Sequence, residues 1–139
     1  LFYLSLSLNL NRFFDEAYFY SAQIFERLEK YNKAEQFYNN VNKNHFLYLE
    51  SQKNIAINKR YRTKIKEAEN DLITLIKTYP ENISILITLA DFYRTSKQYK
   101  KAIIYYSKIL NNLNVDEDQV WKLLYMRIFW YVVYSQPFY

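Results

Sequence analysis

Apolar residues recur at helical intervals of three and four along most of the chain. Two stretches, beginning at Tyr31 and Tyr99, repeat the same spacing, with apolar positions three, seven and ten residues further on. Such spacing places the side chains on one face of a helix. The pattern predicts helices over residues 2–10, 14–28, 31–43, 46–60, 62–78, 83–96, 98–112 and 118–133.

Two alanine positions recur with one fixed period along the sequence. One series is Ala22, Ala56 and Ala90, and the other is Ala34, Ala68 and Ala102. A small side chain where two helices cross lets their backbones approach closely. Each period therefore predicts two antiparallel helices joined by a short turn. A single pair leaves apolar faces open, so neighbouring units must stack to bury them.

This pattern resembles the tetratricopeptide repeat, a 34-residue helix–turn–helix. The third unit carries it most fully, with Leu86, Leu89, Ala90 and Tyr93 followed by Ala102 and Tyr106. The second unit is the weakest, because Lys59 stands where the family has an aromatic residue. The resemblance implies an all-α, right-handed superhelix of helix pairs. Its predicted divisions are a partial repeat over 1–12, repeats over 15–48, 49–82 and 83–116, and an incomplete repeat over 117–139.

Composition supports helices and excludes several other classes. The chain has no glycine and two prolines in 139 residues, whereas strand-rich folds need both at tight turns. Half of its residues are hydrophobic and a fifth are aromatic, so a disordered chain is not expected. Without cysteine, both the reducing cytosol, which we favour, and a bacterial periplasm are open. We expect neither a signal peptide at the apolar N-terminus nor a membrane span.

Catalytic chemistry finds little support in the sequence. The absence of glycine argues against phosphate-cradling loops, and one histidine without cysteine serves metal binding poorly. We expect His45 to lie in a surface turn. The acidic residues Asp15 and Glu16, like those over 116–118, are interpreted as helix N-terminal caps. The sequence therefore predicts no enzyme activity, no cofactor and no metal.

The resemblance implies that the first helix of each pair lines a concave groove that binds a peptide or protein. The groove positions would be Phe19, Gln23, Arg27, Lys53, Ile57, Arg60, Tyr61, Ile87, Asp91 and Arg94. Some family members clamp a peptide carboxylate with Lys and Asn, but Phe19 and Gln23 occupy those positions in the first unit. No such clamp is therefore expected.

Two alternatives concern other partners. The run from Lys59 to Lys66 holds five cations around Tyr61, which suits either an acidic protein or RNA, with the ring stacking on a base. The net charge of +5 is moderate for a nucleic-acid binder, and a solvated turn explains the run equally well. The apolar C-terminal segment, 129–139, is a candidate for self-association.

Overall fold

The computed structural model describes residues 14–113, together with the isolated positions Tyr3 and Leu6. Six α-helices fill the range 14–113: α1 Asp15–Arg27, α2 Tyr31–Tyr38, α3 Tyr48–Tyr61, α4 Ile65–Thr78, α5 Ile83–Thr95 and α6 Tyr99–Leu113. The predicted helix over 118–133 and the incomplete repeat over 117–139 lie outside the described residues. So do the acidic run over 116–118 and most of the predicted helix over 2–10 and partial repeat over 1–12.

Consecutive helices pack as antiparallel pairs, α1 with α2, α3 with α4, and α5 with α6. In addition, α2 packs against α3, which joins the first pair to the second. The chain forms two compact units, the first over Leu1–Pro80 with two helix pairs and the second over Glu81–Tyr139 with the third pair. The described part is all-α, as predicted.

The periodic alanines are buried within the packed helix pairs. Each of the six is at most 3 % exposed, so both series are in the core, as the close-approach argument requires. Four residues after the second alanine comes a larger buried side chain, which is Tyr38, Leu72 or Tyr106. Tyr99 does not follow this pattern. The helical spacing places it on one face with Ala102 and Tyr106 and so predicts that it is buried, but it is 44 % exposed at the first turn of α6.

Each pair is joined by the same tight turn, and this turn recurs with the period of the alanines. Glu29, Thr63 and Lys97 adopt left-handed backbone conformations, with φ of 56°, 63° and 59°. After α1, the amide of Glu29 bonds the carbonyl of Glu26, and the amide of Lys30 bonds that of Phe25. Equivalent bonds follow α3 and α5. This is the Schellman cap, which usually places glycine at the left-handed position.

The helix α2 ends at Tyr38, before the predicted end at position 43. Asparagines account for the difference, because their side chains bond the nearby backbone and compete with helical hydrogen bonds. The Asn40 amide donates to the Gln36 carbonyl over 3.0 Å, and the Asn42 side chain accepts from the Asn44 amide over 2.9 Å. A loop over 39–47 replaces the last predicted turn, and Val41 remains buried within it.

The acidic residues at the start of α1 hold this loop instead of capping the helix. Phe14 is the N-cap residue, and no side chain makes a capping hydrogen bond. The Asp15 carboxylate accepts from the Asn42 backbone amide over 2.5 Å. The Glu16 Oε1 atom lies 3.2 Å from Nε2 of His45, whose side chain is 19 % exposed. The capping hydrogen bonds expected of Asp15 and Glu16 therefore do not form, although both residues lie in the first turn of α1. His45 lies in a turn, as expected, and its contact with Glu16 fastens that loop to α1.

Candidate protein-interaction surface

The ten predicted groove residues differ in exposure. In the first unit, Phe19 is buried, Gln23, Lys53, Ile57 and Arg60 are half-buried, and Arg27 and Tyr61 are exposed. In the second unit, Ile87, Asp91 and Arg94 are all half-buried. The structure thus places six residues on the accessible faces of α1 and α3, and three on α5.

Phe19 belongs to the core of the first unit. It is 4 % exposed, and its ring meets that of Tyr38 edge to face with centroids 5.5 Å apart. Ala22, Ala34 and Ile55 complete the cluster around it. Phe19 therefore has little surface to offer a partner, and its truncation is expected to weaken folding.

Several groove charges are already paired within the chain. Lys53 Nζ lies 2.6 Å from Glu50 Oε1, one turn earlier on α3. On α5, Asp91 accepts from Arg94 over 3.1 Å and also from the Tyr106 hydroxyl of α6. Burial and the adjacent Asp91 carboxylate together raise the pKa of Tyr106 to about 12. These groups hold one another in place. Because their charges are already paired within the chain, they would contribute less to the binding of a charged partner.

A joint between the first two helix pairs borders this surface. The ring of Tyr61, at the end of α3, stacks on that of Tyr31 at the start of α2, with centroids 5.5 Å apart and planes at 12°. Beside it, the Arg62 guanidinium bonds Glu35 and Asn32, both on α2. Tyr61 is still 65 % exposed. The stack with Tyr31 therefore holds the Tyr61 ring in place while much of its surface remains accessible to solvent.

The basic run is largely neutralised by carboxylates of the same chain. Lys59 Nζ lies 2.6 Å from Asp71 Oδ2, and Lys64 Nζ lies 3.3 Å from Glu67 Oε2. With the Arg62–Glu35 pair, at least three of the five cations have acidic partners. The Lys59 pair also explains how α3 carries a charge on a half-buried side chain, because Lys59 reaches across to α4.

A buried polar network connects α1, α2 and α3. Asn58, which is 1 % exposed, donates from Nδ2 to Glu26 Oε1 over 2.7 Å. The Tyr38 hydroxyl bonds the same carboxylate and accepts from Asn54 Nδ2 over 3.0 Å. Burial raises the pKa of Glu26 above its ordinary value of 4.5, although the Asn58 and Tyr38 hydrogen bonds oppose the shift. Amphipathic periodicity could not reveal this network, since polar residues at these positions read as solvent-facing.

The raised pKa of Glu26 predicts a pH-dependent stability. The folded state holds the proton more tightly than the unfolded state, so this contribution is full below pH 4.5 and is lost as pH rises through the folded pKa. Glu26→Gln keeps an acceptor for Asn58 and removes the titration. The free energy of unfolding of this variant should therefore decline less with rising pH than that of the wild type. Urea denaturation at a series of pH values from 4.5 upward measures both.

A matched control is Glu81→Gln, which removes an exposed carboxylate. This control should retain the wild-type pH dependence. A Glu26→Gln variant whose stability falls with pH as steeply as that of the wild type would show that the buried carboxylate does not titrate as described.

A concavity lies among α2, α3 and α4. Its volume is about 370 Å³, and Ile55 and Leu75 line it together with Tyr48 and Tyr79. The Lys59–Asp71 pair also lies in its wall. This cleft is on the order of a small ligand site in size. Because α2 and α4 contribute to it and α1 does not, it is an alternative to the α1/α3 face as a place for a partner.

Metal and membrane chemistry gain no support in the part of the chain that the structure describes. Residues 14–113 contain no group of three or more His, Cys, Asp or Glu side chains arranged to hold a metal ion. Among the described helices, none is long and apolar enough to cross a bilayer.

No protein-family model matches the chain, and none of the curated proteins compared with it is significantly similar. The repeat assignment therefore depends on the internal period and on the consecutive helix pairs with their recurring turns.

Proposed function

We propose that the chain is a segment of a right-handed superhelix of the tetratricopeptide type. In this proposal it is a non-catalytic scaffold that binds a peptide or protein along its first helices. The main support is the recurrence of the left-handed turns at Glu29, Thr63 and Lys97, in phase with the buried alanines. Helix pairs repeated in phase build an interaction surface from equivalent positions, each unit adding one helix to it.

The chemistry of the α1/α3 face suits a peptide with apolar and acidic residues. Ile57 and Tyr61 offer aliphatic and aromatic area, and Arg27 supplies an exposed cation. Arg60 is half-buried beside them. A rigid aromatic ring and arginine are the residue types that most often dominate binding energy in interfaces. An extended or helical peptide could place an apolar side chain on Ile57 and an acidic one near Arg27.

A displayed library of unstructured peptides provides a direct test. Selected peptides should bind the wild-type chain, with affinity measured by fluorescence anisotropy. The triple variant Arg27→Ala, Ile57→Ala, Tyr61→Ala should weaken that binding by about tenfold or more, because each truncation removes accessible contact area. The variant should remain folded, with a modest loss of thermal stability from the Tyr61–Tyr31 stack, because none of the three side chains is in the core.

The matched control moves the same number of truncations to the second helices. Gln36→Ala, Lys66→Ala and Asn70→Ala alter exposed residues of α2 and α4 and should leave affinity unchanged. Equal losses in both triple variants would place the binding site elsewhere, with the cleft beside Leu75 as the next candidate.

Nucleic acid is the alternative partner, and salt separates it from a peptide. Affinity for a labelled single-stranded RNA should fall by orders of magnitude as salt rises if phosphates are the target. The internal pairing of Lys59, Arg62 and Lys64 argues against this alternative. Tight RNA binding with a steep salt dependence, weakened by Arg60→Ala and Lys66→Ala, would favour it over the peptide proposal.

A further inference from the structure

The first unit shows how one helix pair packs against the next. The first pair makes this contact at the start of α2, where Tyr31 stacks on Tyr61 with centroids 5.5 Å apart. One turn further along α2, Glu35 pairs with Arg62. Both partners come from the end of α3, the first helix of the following pair. The joint thus combines an aromatic stack with an ion pair.

The positions on α6 that correspond to Tyr31 and Glu35 lie two periods later, at Tyr99 and Ile103. The aromatic residue is kept, but the carboxylate of Glu35 has become an aliphatic side chain. Tyr99 is 44 % exposed and Ile103 is 55 % exposed, whereas the side chain of Glu35 is 24 % exposed in its joint. We call Tyr99 and Ile103, which lie four residues apart on one side of the helix, the α6 apolar face.

The sequence supplies matching residues at the same intervals. Phe129 follows Tyr99 at the interval that separates Tyr61 from Tyr31. Trp130 likewise follows Ile103 at the interval that separates Arg62 from Glu35, and both Phe129 and Trp130 lie outside the described residues. The first pair thus stays aromatic, with Tyr and Phe in place of two Tyr residues. In the second pair both members change together, from Glu with Arg to Ile with Trp. If both intervals are one residue longer, the residues that match Tyr99 and Ile103 are Trp130 and Tyr131, which are also aromatic.

We propose that the α6 apolar face is the docking surface for the aromatic segment 129–131 of the same chain. Burial of an aromatic side chain against Ile103 and Tyr99 removes apolar area from water on both sides, which a lone exposed face cannot achieve. Self-association through the C-terminal segment is the competing occupant. This docking is independent of peptide binding on the α1/α3 face, so either proposal can fail without the other.

A double-mutant cycle tests the pairing by installing the ionic joint of the first unit. Ile103→Glu and Trp130→Arg should each lower the folding equilibrium constant, because each sets a charge against an apolar partner. The double variant should recover about tenfold relative to the product of the single effects, since the Glu–Arg pair is restored. Urea denaturation followed by circular dichroism of the full chain gives the four constants.

A fluorescence readout reports docking without relying on stability. In a Trp121→Phe background, Trp130 is the remaining tryptophan. Its emission should be blue-shifted and protected from acrylamide, and Ile103→Glu should remove both effects. Lys108→Glu is the control, because this exposed residue lies further along α6, on another face, and over the ring of Tyr105. It should leave the Trp130 emission unchanged.

Two results would overturn the proposal. One is additivity, in which the double variant shows no recovery and Trp130 emission does not respond to Ile103→Glu. The other is a dimer detected by sedimentation that dissociates on dilution and is abolished by Ile103→Glu. That outcome would assign the α6 apolar face to a second copy of the chain.

Discussion

Replacing Tyr38 with alanine is expected to cost about 3–5 kcal/mol of unfolding free energy. Tyr38 is fully buried, and its ring packs edge to face against Phe19. Its hydroxyl also satisfies Glu26 and accepts from Asn54, so truncation leaves a cavity together with unpaired polar groups. Because a domain of this size is stable by about 5–15 kcal/mol, the loss is a large fraction of the total.

Urea denaturation of Tyr38→Ala and Tyr38→Phe separates the two contributions. The phenylalanine variant keeps the ring and should lose about 1–3 kcal/mol for the hydroxyl alone, because Asn54 and the Glu26 carboxylate lose a partner. The control is Phe46→Ala, which truncates an aromatic side chain that is 77 % exposed and should cost about 0.5 kcal/mol or less. A Tyr38→Ala effect as small as that of Phe46→Ala would contradict the buried assignment.

Glycine at the three left-handed turn positions is expected to stabilise the chain by roughly 2 kcal/mol in total. A left-handed conformation costs a non-glycine residue about 1–2 kcal/mol, because Cβ crowds the following carbonyl. Glycine removes that cost. Its greater conformational entropy in the unfolded state offsets about 0.4–1 kcal/mol of this gain at each site. Thr63→Gly should contribute most among Glu29→Gly, Thr63→Gly and Lys97→Gly, since Thr63 is β-branched.

Thermal unfolding measures this gain, and a neighbouring position provides the control. The triple glycine variant should unfold roughly 5–10 °C higher than the wild type. Leu28→Gly, immediately before the first turn, should lower stability, because Leu28 has an ordinary φ of −87° and gains no relief from glycine. If Thr63→Gly does not raise stability, the left-handed turn at that position is wrong.

Periodicity predicted the helix pairs and the buried alanines because those features depend on side-chain size repeated at helical spacing. It missed the left-handed turns at Glu29, Thr63 and Lys97, since three different residue types without glycine leave no compositional mark. The early end of α2 was also missed. That end depends on asparagine side chains bonding their own backbone in preference to continuing the helix.

The candidate surface was harder to predict than the fold. Helical spacing assigns Phe19 to the same face as Gln23, yet the ring of Phe19 packs in the core of its unit. Lys59 and Arg62 looked like a solvated basic run, but they pair with Asp71 and Glu35 on other helices. Such choices depend on which residue of a neighbouring helix comes within reach, and one helix's pattern does not contain that information.

A nuclear magnetic resonance titration shows directly whether a partner binds along the first helices. A library-selected peptide is added to isotope-labelled protein, and backbone amide shifts are followed residue by residue. If the peptide binds there, the largest changes should cluster on α1 and α3, around Gln23, Arg27, Ile57 and Tyr61. Changes concentrated instead on α2 and α4, around Thr74 and Thr78 of the cleft, would contradict it.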